Sequence, residues 1–428
     1  MGVKVAVVGA GSTYTPELVE GFVSHADRLP VDELALLDVD EERLEVVGGL
    51  AERILARQGW TGGLTRTLDR DRALDGASFV VAQIRVGGQA ARLRDETIPL
   101  AFGCIGQETT GPGGFAKALR TVPVILDLAE RTAERGAPGA WFVDFTNPVG
   151  IVTQALLDAG HRAIGLCNVA ITLRRRLAAL LGVGWERVEL EHVGLNHLTW
   201  VRQVRVDSAD VLPDLLEHRA EEIGDEVTLP GDLLRLLGAI PSYYLRYYYA
   251  ADEVLAEERA EGHRPRAEEV AEIEADLLEG YRDPALDHKP DRLSERGGSF
   301  YSEAAVRLMA SLHAGTGDVQ EVNVRNDGAL PDLPADDVVE IPARVDRGGA
   351  HPEALAPLAP ELRGLVLHAK AYERLTAQAA VTGSRSTALK ALATNPLVPS
   401  YGVAARLLDA LLEANRRHLP RFFPEDPA

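Results

Sequence analysis

The sequence predicts an α/β protein in which a doubly wound parallel sheet is followed by an α+β second domain packed against it. In the first half, short apolar segments typical of buried strands alternate with amphipathic segments typical of helices. The strand-like segments are KVAVVG at 4–9, LALLD at 34–38, SFVVAQIR at 78–85, AWFVDFT at 140–146 and AIGLC at 163–167. Such alternation is typical of parallel sheets whose two faces are covered by helices.

The pattern changes after about residue 187. Strand-like alternation covers 189–206, helix formers dominate 212–281, antiparallel strands are expected at 319–326 and 338–345, and 361–418 is helical again. The sequence contains no internal repeat, low-complexity segment or long Gly/Ser linker between the halves. We therefore predict two domains, residues 1–187 and 188–428, that pack as one compact unit.

Composition narrows the functional class. The 428 residues are 46% hydrophobic and 26% charged, which is typical of a globular protein. A formal charge of -20 disfavours binding to nucleic acid or to anionic membranes. Two cysteines, Cys104 and Cys167, cannot build a disulfide framework, which favours a reducing cytoplasm. No apolar stretch reaches the ~20 residues of a membrane span.

A glycine turn follows the first predicted strand. Gly9 and Gly11 precede a helix, where glycine lets the backbone turn tightly and approach a pyrophosphate. Asp38 ends the second predicted strand, where an acid accepts hydrogen bonds from ribose hydroxyls and favours NAD over NADP. Tyr14 replaces the third glycine of the usual fingerprint, so a tight turn without a ligand is the alternative. The predicted dinucleotide site comprises Gly9, Gly11, Ser12, Thr13 and Asp38.

Polar residues also follow two later strands, at the carboxyl edge where open α/β sheets bind ligands. Asn147 comes directly after AWFVDFT, and Cys167 and Asn168 end AIGLC. Each has an ordinary structural interpretation, since Asn147 precedes a proline and a lone cysteine is commonly a buried packing residue. His197 follows Cys167 by 30 residues, so the pair has no local metal-binding spacing and is weak evidence by itself.

Three further segments have compositions found at ligand sites. Five of the ten tyrosines lie at 243, 244, 247, 248 and 249. Their helical spacing is more typical of a packing face than of catalysis, although one phenol held near a metal could act as a base. The glycine-rich segments GQETTGPGGF at 106–115 and RGGSFYS at 296–302 suit ligand-facing loops, although glycine also serves plain turns.

Eight motifs in order along the chain carry a resemblance to a known family. They are GAGSTYTPELV, GQETTGPGGFAKALR, DFTNPVGIVTQAL, GLCNV, GLNHL, PSYYLRYYY, RGGSFYSEAA and ALKALATNPLV, and they extend from residue 9 to about residue 398. Several are too long to agree by chance. On these residues the sequence resembles glycoside hydrolase family 4, the NAD-dependent exception among glycosidases that use two carboxylates.

The resemblance implies a Rossmann-like NAD-binding domain over 1–187 and a domain for substrate, metal and oligomer contacts over 188–428. In the family, a divalent metal, usually Mn²⁺, is held by the cysteine of the CN motif and the histidine of the GLNH motif, which are Cys167 and His197 here. NAD takes a hydride from carbon 3 of the sugar, a tyrosine removes the proton on carbon 2, and the glycosidic oxygen leaves. Water then adds and NADH returns the hydride, so the net reaction is hydrolysis.

The resemblance also implies which residue is the base and which glycoside is cleaved. By position in YLRYY, Tyr244 is the expected base and Tyr243 is its rival. Family members that cleave α-linked phosphoglucosides have an aspartate acid directly after the metal cysteine, whereas the β-specific members have asparagine. Asn168 occupies that position, which predicts a 6-phospho-β-glucosidase whose leaving-group acid is water or an unnamed residue. A departure from the family pattern is Ala170, where CNVP is common.

The remaining contacts are expected to be with substrate. Asn147 matches the asparagine of the family's TNP motif and is expected to contact the sugar or the metal's surroundings. Arg85 and Arg296 are the cationic residues expected to bind an anionic sugar substituent, because an arginine fork suits phosphate. Asn168 completes the predicted substrate-binding set.

Several alternatives stay open on sequence. A family member could act on an unphosphorylated or a galacto-configured glycoside. A simple NAD-dependent 2-hydroxyacid dehydrogenase would share the dinucleotide domain but would not need the CN, GLNH and RGGSFY motifs, and a non-catalytic NAD-binding regulator would lack the metal-ligand pair. The expected partners are a sugar phosphate and further copies of the chain in a homodimer or homotetramer, with no nucleic acid and no membrane.

Overall fold

The structure, a computed structural model, describes residues 2–297 and 300–424. The strands within these residues are β1 (Val3–Val8), β2 (Val31–Leu37), β3 (Gly63–Thr67), β4 (Phe79–Ala82), β5 (Trp141–Asp144), β6 (Ala163–Gly165), β7 (Val188–Leu195), β8 (Leu198–Val206), β9 (Ala209–Asp210), β10 (Ile240–Pro241), β11 (Asp318–Arg325), β12 (Val338–Asp346) and β13 (Gly349–Pro352). The α-helices are α1 (Thr15–Ser24), α2 (Glu41–Arg57), α3 (Arg70–Leu74), α4 (Gly88–Thr97), α5 (Gly111–Arg135), α6 (Val149–Asp158), α7 (Val169–Leu181), α8 (Leu212–His218), α9 (Ala220–Val227), α10 (Gly231–Leu237), α11 (Arg246–Tyr249), α12 (Ala251–Arg259), α13 (Arg266–Tyr281), α14 (Tyr301–Ala314), α15 (Pro360–Thr382), α16 (Arg385–Thr394) and α17 (Tyr401–Ala414).

The main sheet confirms the doubly wound fold class. Its nine strands run in the order β13-β12-β11-β6-β5-β4-β1-β2-β3. Strands β1 to β6 are mutually parallel, and the direction of winding reverses between β1 and β4. A crevice therefore opens at the carboxyl ends of these two strands, which is where doubly wound sheets bind ligands. Each predicted strand of the first half is present, and β3, a polar edge strand, was not predicted.

The predicted strands at 319–326 and 338–345 are confirmed as β11 and β12, but they extend the main sheet. β12 pairs antiparallel with both β11 and β13, and β11 meets β6 where Asn323 lies opposite Gly165. The sheet begun by the first half of the chain is therefore completed by the second half. The predicted domain boundary at residue 187 remains a prediction. Strands from before and after this residue share one sheet, so the boundary does not separate two independent sheets.

Alternate residues of β1 enter two different cores. Val5 and Val7 pack with residues of α1, α2 and α14, whereas Ala6 and Val8 pack with residues of α5, α6 and the C-terminal helices α15 to α17. Because helices cover both faces, the central strands are apolar throughout instead of alternating with polar residues. The helices predicted for 361–418 thus close one face of the sheet begun at residue 3.

A second, smaller sheet has the order β10-β8-β7, with β9 paired to β8. Strands β7 and β8 form a hairpin, and Leu195 pairs with Leu198, so the turn consists of Asn196 and His197. Trp200 of this hairpin is completely buried in a third core that also contains Ile341 of β12 and residues of α15. The hairpin turn is therefore fixed against the main sheet.

The segment 212–281, predicted to be helix-rich, contains α8 to α13. Across residues 2–297 and 300–424, no helix is both long and apolar enough to cross a membrane.

Candidate active site

The turn after β1 is built around Asp38. The backbone N–H of Gly11 donates to Oδ2 of Asp38 at 2.7 Å, and the N–H groups of Val39 and Asp40 donate to its Oδ1. A Cβ on Gly9, whose φ is 85°, would lie 2.8 Å from the carbonyl oxygen of Gln83. Glycine is therefore required at this position, and Asp38 holds the turn in addition to facing the crevice.

This turn opens onto a cavity of about 1960 Å³. The predicted site residues that line it are Gly9, Gly11, Ser12, Asp38, Arg85, Asn147, Asn168, Tyr244 and Arg296. Thr13 is completely buried, and its carbonyl oxygen accepts a hydrogen bond from the Tyr281 hydroxyl at 2.8 Å. The cavity thus joins the glycine turn to the tyrosine segment, more than 200 residues away in sequence.

Cys167 follows β6 at the carboxyl edge of the sheet and is 5% exposed. The side chains of Asn196 and Tyr301 hydrogen-bond its sulfur. Burial and the nearby Glu340 carboxylate raise the pKa of the Cys167 thiol well above its usual range. Asn147, three residues after the end of β5, is hydrogen-bonded to the same Tyr301. The neighbouring strand ends therefore bring Cys167 and Asn147 into one hydrogen-bonded group.

His197 reaches this group from the β7–β8 turn, where its φ is 63°. Its imidazole stacks on the Tyr244 ring with 3.6 Å between ring centroids and an interplanar angle of 6°. Burial lowers the pKa of His197 to about 4, so the ring is neutral and a nitrogen is available to a ligand. Nδ1 of His197 and Oδ1 of Asn147 are both buried without a hydrogen-bond partner.

The donor set fits a divalent metal that shares its coordination with substrate. A thiol and a neutral imidazole are both metal ligands, and both lie beside Tyr244, whose pKa is affected by Cys167. Within the described part of the chain, no group of three His, Cys, Asp or Glu side chains could hold a metal. Two protein donors leave most coordination positions open to oxygen atoms of a sugar or of water.

Glu340 lies behind these residues and was missed on sequence. It is 1% exposed, and its carboxylate accepts hydrogen bonds from Asn196 Nδ2 at 2.8 Å and Asn323 Nδ2 at 3.0 Å. Nε2 of His192 lies 2.9 Å from its other oxygen. Burial raises its pKa, but these three hydrogen-bonding partners outweigh burial and lower it. A negative charge next to Cys167 and His197 favours a cation there.

The two tyrosines considered for the base occupy different environments. Tyr243 is 38% exposed, and its ring meets the Tyr244 ring edge-on at 5.7 Å. Tyr244 contacts His197, and the side chain of Thr109 hydrogen-bonds its phenol. Burial, followed by the charges of Cys167 and Glu108, raises the pKa of Tyr244 above its usual range. Only Tyr244 of this pair stacks on His197.

A cluster of charges around Glu108 forms another part of the cavity wall. Arg85 pairs with both oxygens of Glu108, Lys117 Nζ lies 2.7 Å from Oε2, and Arg92 Nε lies 3.3 Å from Oε1. Burial raises the pKa of Glu108, but Arg85, Lys117 and Arg92 together lower it well below its usual range. Sequence reasoning named only Arg85, although Glu108 and Lys117 lie within a quoted motif. Three basic side chains therefore share the Glu108 carboxylate, and Arg92 also contacts Glu96 Oε1 at 2.7 Å.

Arg296, the other predicted phosphate-binding arginine, also lines the cavity. Its guanidinium donates to Glu274 Oε1 at 3.0 Å and lies 5.6 Å from the ring centroid of Tyr14. Gly298 and Ser299 of the same motif lie outside the described residues. Asn168 is the N-cap residue of α7 and also lines the cavity. Both predicted phosphate-binding arginines therefore already contact a carboxylate.

These features define an α/β enzyme whose cavity extends from a dinucleotide-type glycine turn to Tyr244. Cys167 and His197 are not among the described residues that line this cavity, and His197 is connected to it by stacking on Tyr244. The model of the family 4 glycosyl hydrolases matches residues 4–183, and the model of their C-terminal domain matches residues 192–398. The chain belongs to glycoside hydrolase family 4. This assignment favours a glycosidase over the simple dehydrogenase considered on sequence.

Relatives cover almost the whole chain. A probable 6-phospho-β-glucosidase of Bacillus subtilis is 44% identical over 99% of this chain and 98% of its own. The 6-phospho-β-glucosidase of Escherichia coli is 36% identical over 98% of this chain and 96% of its own. The 6-phospho-β-glucosidase structure of Thermotoga maritima with manganese, NAD⁺ and glucose 6-phosphate has a TM-score of 0.91 at 36% identity, covering 97% of this chain and 99% of that one.

Proposed function

We propose that the protein is an NAD- and divalent-metal-dependent 6-phospho-β-glucosidase. The observation that carries this proposal is that Tyr244, which lines the same cavity as the glycine turn, stacks on His197 and lies near enough to Cys167 for that thiol to raise its pKa. The relatives named above, with Mn²⁺, NAD⁺ and glucose 6-phosphate in one solved structure, support the same cofactors and substrate class here.

NAD would bind at the turn after β1. Gly9, Gly11 and Ser12, which line the cavity, would surround the pyrophosphate, and the buried Thr13 would hold the turn in place. Glycine is needed because a Cβ would meet the Gln83 carbonyl at Gly9 and the Asp38 carboxylate at Gly11. Asp38 would accept hydrogen bonds from ribose hydroxyls, and its negative charge disfavours the additional phosphate of NADP. Its three backbone hydrogen bonds orient the carboxylate before the cofactor arrives.

Cys167 and His197 would hold the divalent metal, with Mn²⁺ as the expected ion. When bound, NAD accepts and later returns a hydride at carbon 3, and the metal stabilises negative charge on the adjacent sugar oxygens. Asn147 presents an unpartnered amide oxygen to the same region and would orient a sugar hydroxyl. The rigid β7–β8 turn keeps the His197 ring in place against Tyr244.

Tyr244 would remove the proton from carbon 2 once carbon 3 is a ketone. A phenol acts as a base only after it loses its own proton, and burial beside Cys167 disfavours that loss. The hydrogen bond from Thr109 lowers the pKa of Tyr244, and a metal cation bound nearby would lower it further. We therefore expect Tyr244 to ionise, and so to act as the base at carbon 2, only when the metal is bound.

Specificity would come from the ends of the cavity. Asn168 in place of an aspartate favours β-linked substrates. Arg85, in the cluster around Glu108, and Arg296, which pairs with Glu274, are the residues that would bind the 6-phosphate with a guanidinium fork. Each arginine would exchange part of its present carboxylate contact for the phosphate.

The test is cleavage of p-nitrophenyl 6-phospho-β-glucoside with NAD and Mn²⁺ both present, each omitted in turn, and with the unphosphorylated glucoside and galactoside as matched substrates. Nitrophenol release only when NAD, Mn²⁺ and the 6-phosphate are all present supports the proposal. Full activity on an unphosphorylated or galacto-configured glycoside would favour the alternative substrates, and no cleavage of any of them would refute the assignment.

The protein is further proposed to act in the cytoplasm as a homodimer or homotetramer. Both cysteines are free and buried, and a reducing compartment preserves the Cys167 thiol for metal binding. Leu236 is 81% exposed and Tyr401 is 69% exposed, which are apolar surfaces suited to contact with another subunit. Light scattering after gel filtration would give the mass, and a monomer at micromolar concentration would refute the oligomer.

A further inference from the structure

The proposed reaction breaks the bond between carbon 1 and the glycosidic oxygen, and that oxygen leaves more easily when it receives a proton. The donor must lie close to the base, because carbon 1 is bonded to the carbon 2 that Tyr244 would deprotonate. Thr109 connects the Tyr244 phenol to the adjacent Glu108. Glu108 in turn holds the Lys117 ammonium at 2.7 Å. Lys117 is therefore connected to the base by two hydrogen bonds and one pair of chain neighbours, Glu108 and Thr109.

Lys117 is also accessible to substrate. It projects from α5, is 3% exposed and lines the same cavity as Tyr244. A buried ammonium has little water to satisfy its three donors, and Glu108 is the only carboxylate contact described for it here. The remaining donors are available to a ligand oxygen in the cavity.

Other groups on this wall are poor proton donors. Glu108 is ionised, since its pKa lies well below the usual range, and it accepts from three cations. Arg85 and Arg92 keep their protons at all relevant pH values. The Tyr244 phenol is needed to accept a proton in the same step.

The charges facing Lys117 suit a group that both gives and takes a proton. Burial, aided by Arg85 and Arg92 and opposed by Glu108, lowers the pKa of Lys117 to about 7. Asp95 on α4 and His197 on the β7–β8 turn also interact with it electrostatically. Near neutral pH, both its ammonium and its amine forms are thus present.

We propose that Lys117 is the general acid that protonates the departing glycosidic oxygen, an assignment that rests on the proposed function. As Tyr244 takes the proton from carbon 2, that C–H electron pair forms the double bond between carbons 1 and 2. The C1–O bond breaks with its electrons on oxygen, and the Lys117 proton moves to this oxygen to release an alcohol. Water then adds its hydroxyl to carbon 1 and returns a proton to the Lys117 amine, while Tyr244 returns its proton to carbon 2.

A comparison of leaving groups tests this role. Lys117→Met should lose about 10²- to 10⁴-fold in kcat on methyl 6-phospho-β-glucoside, whose alkoxide needs a proton. On p-nitrophenyl 6-phospho-β-glucoside, whose phenolate leaves unaided, the loss should stay within about tenfold. Deuterium exchange at carbon 2 should continue in the variant. Lys390→Met, at an exposed position of α16, is the matched control and should leave both rates unchanged.

These experiments distinguish failure of the proposed function from failure of the Lys117 assignment. If the wild type cleaves neither phosphoglucoside, the proposed function fails and the assignment of Lys117 fails with it. If the wild type cleaves both and Lys117→Met loses both equally, only the assignment of Lys117 is overturned. Should Lys117→Met not fold, as judged by NAD binding and thermal unfolding, the wild-type pH profiles decide. The kcat on the methyl glycoside should fall above about pH 7 while that on the nitrophenyl glycoside does not, and identical profiles would overturn the assignment.

Discussion

Removing the Glu108 carboxylate should destabilise the protein by leaving Arg85 and Lys117 without the carboxylate that they contact. In Glu108→Gln the side chain keeps its size but loses the charge that Arg85, Arg92 and Lys117 share. Glu108 is 7% exposed and Lys117 is 3% exposed, so water replaces little of the lost attraction. The main effect is therefore that the largely buried Arg85 and Lys117 lose the carboxylate they contact, whereas Arg92 keeps Glu96 at 2.7 Å.

The expected loss of unfolding free energy can be estimated from the contact between Lys117 and Glu108. At their separation of 2.7 Å, the attraction between unit charges is about 6 kcal/mol for an effective dielectric constant of about 20. Much of this offsets the cost of burying both ions, and breaking a buried pair from one side typically costs about 3–5 kcal/mol. We expect Glu108→Gln to lower the free energy of unfolding by this amount. Adding Lys117→Met removes one unpaired cation and should recover about 1–3 kcal/mol relative to the sum of the single changes.

Urea unfolding of the wild type, both single variants and the double variant measures these free energies, provided that the transitions are two-state. Glu108→Gln should shift the midpoint to lower urea without changing the slope. If the effects of the two single changes simply add, Glu108 and Lys117 are not coupled and the reasoning from their contact is refuted. Glu257→Gln, on the exposed end of α12, is a control for loss of a surface ion pair and should change stability by less than about 1 kcal/mol.

Three other outcomes follow from the site. Because burial and Glu340 raise the pKa of Cys167, its thiol is protonated when no metal is bound. Binding of Mn²⁺ to the thiolate should therefore release one proton, and the affinity of the protein for Mn²⁺ should rise about tenfold per pH unit between pH 6 and 8. Calorimetry with NAD present measures this, and an affinity that does not change with pH contradicts a thiolate ligand. In Gly11→Ala the new Cβ would lie 2.9 Å from Asp38 Oδ2 and 3.0 Å from Arg43 Cβ, so NAD should bind at least about tenfold more weakly, whereas Gly364→Ala, with open space around its Cβ, should bind NAD normally. A fluorescence titration measures the NAD affinity of both variants. Equal affinities would contradict the proposal that the turn at Gly11 binds NAD. Tyr244→Phe should abolish exchange of the carbon 2 proton with solvent while Tyr243→Phe retains it, and NMR of sugar phosphate in D₂O distinguishes the two.

The sequence predicted those parts of the site that depend on local geometry. Asp38, Asn147 and Cys167 each follow an apolar strand, and parallel strands necessarily present their carboxyl ends at one edge. The doubly wound sheet follows from the same alternation of strands and helices. The roles of Cys167, His197 and Tyr244 came instead from motifs shared with the family, because no spacing along the chain connects them.

The site residues that sequence reasoning missed are brought to the site by contacts between segments that are far apart in the sequence. Glu340 reaches the site only because β12 pairs with β11, which in turn pairs with β6. Lys117 is one of many charged residues on a long helix, and nothing local distinguishes it until Glu108 and Tyr244 are placed around it. The antiparallel strands were recognised as strands, but their addition to the first sheet was not predicted, since a β-pattern does not specify its partner.

The account's central claim is that hydrolysis proceeds through removal and return of the proton on carbon 2. The most direct measurement is mass spectrometry or NMR of the glucose 6-phosphate released from p-nitrophenyl 6-phospho-β-glucoside in D₂O, with NAD and Mn²⁺ present. The account predicts product with deuterium on carbon 2, formed at a rate that depends on NAD. Product with only hydrogen on carbon 2, formed equally fast without NAD, would contradict it and indicate direct displacement at carbon 1.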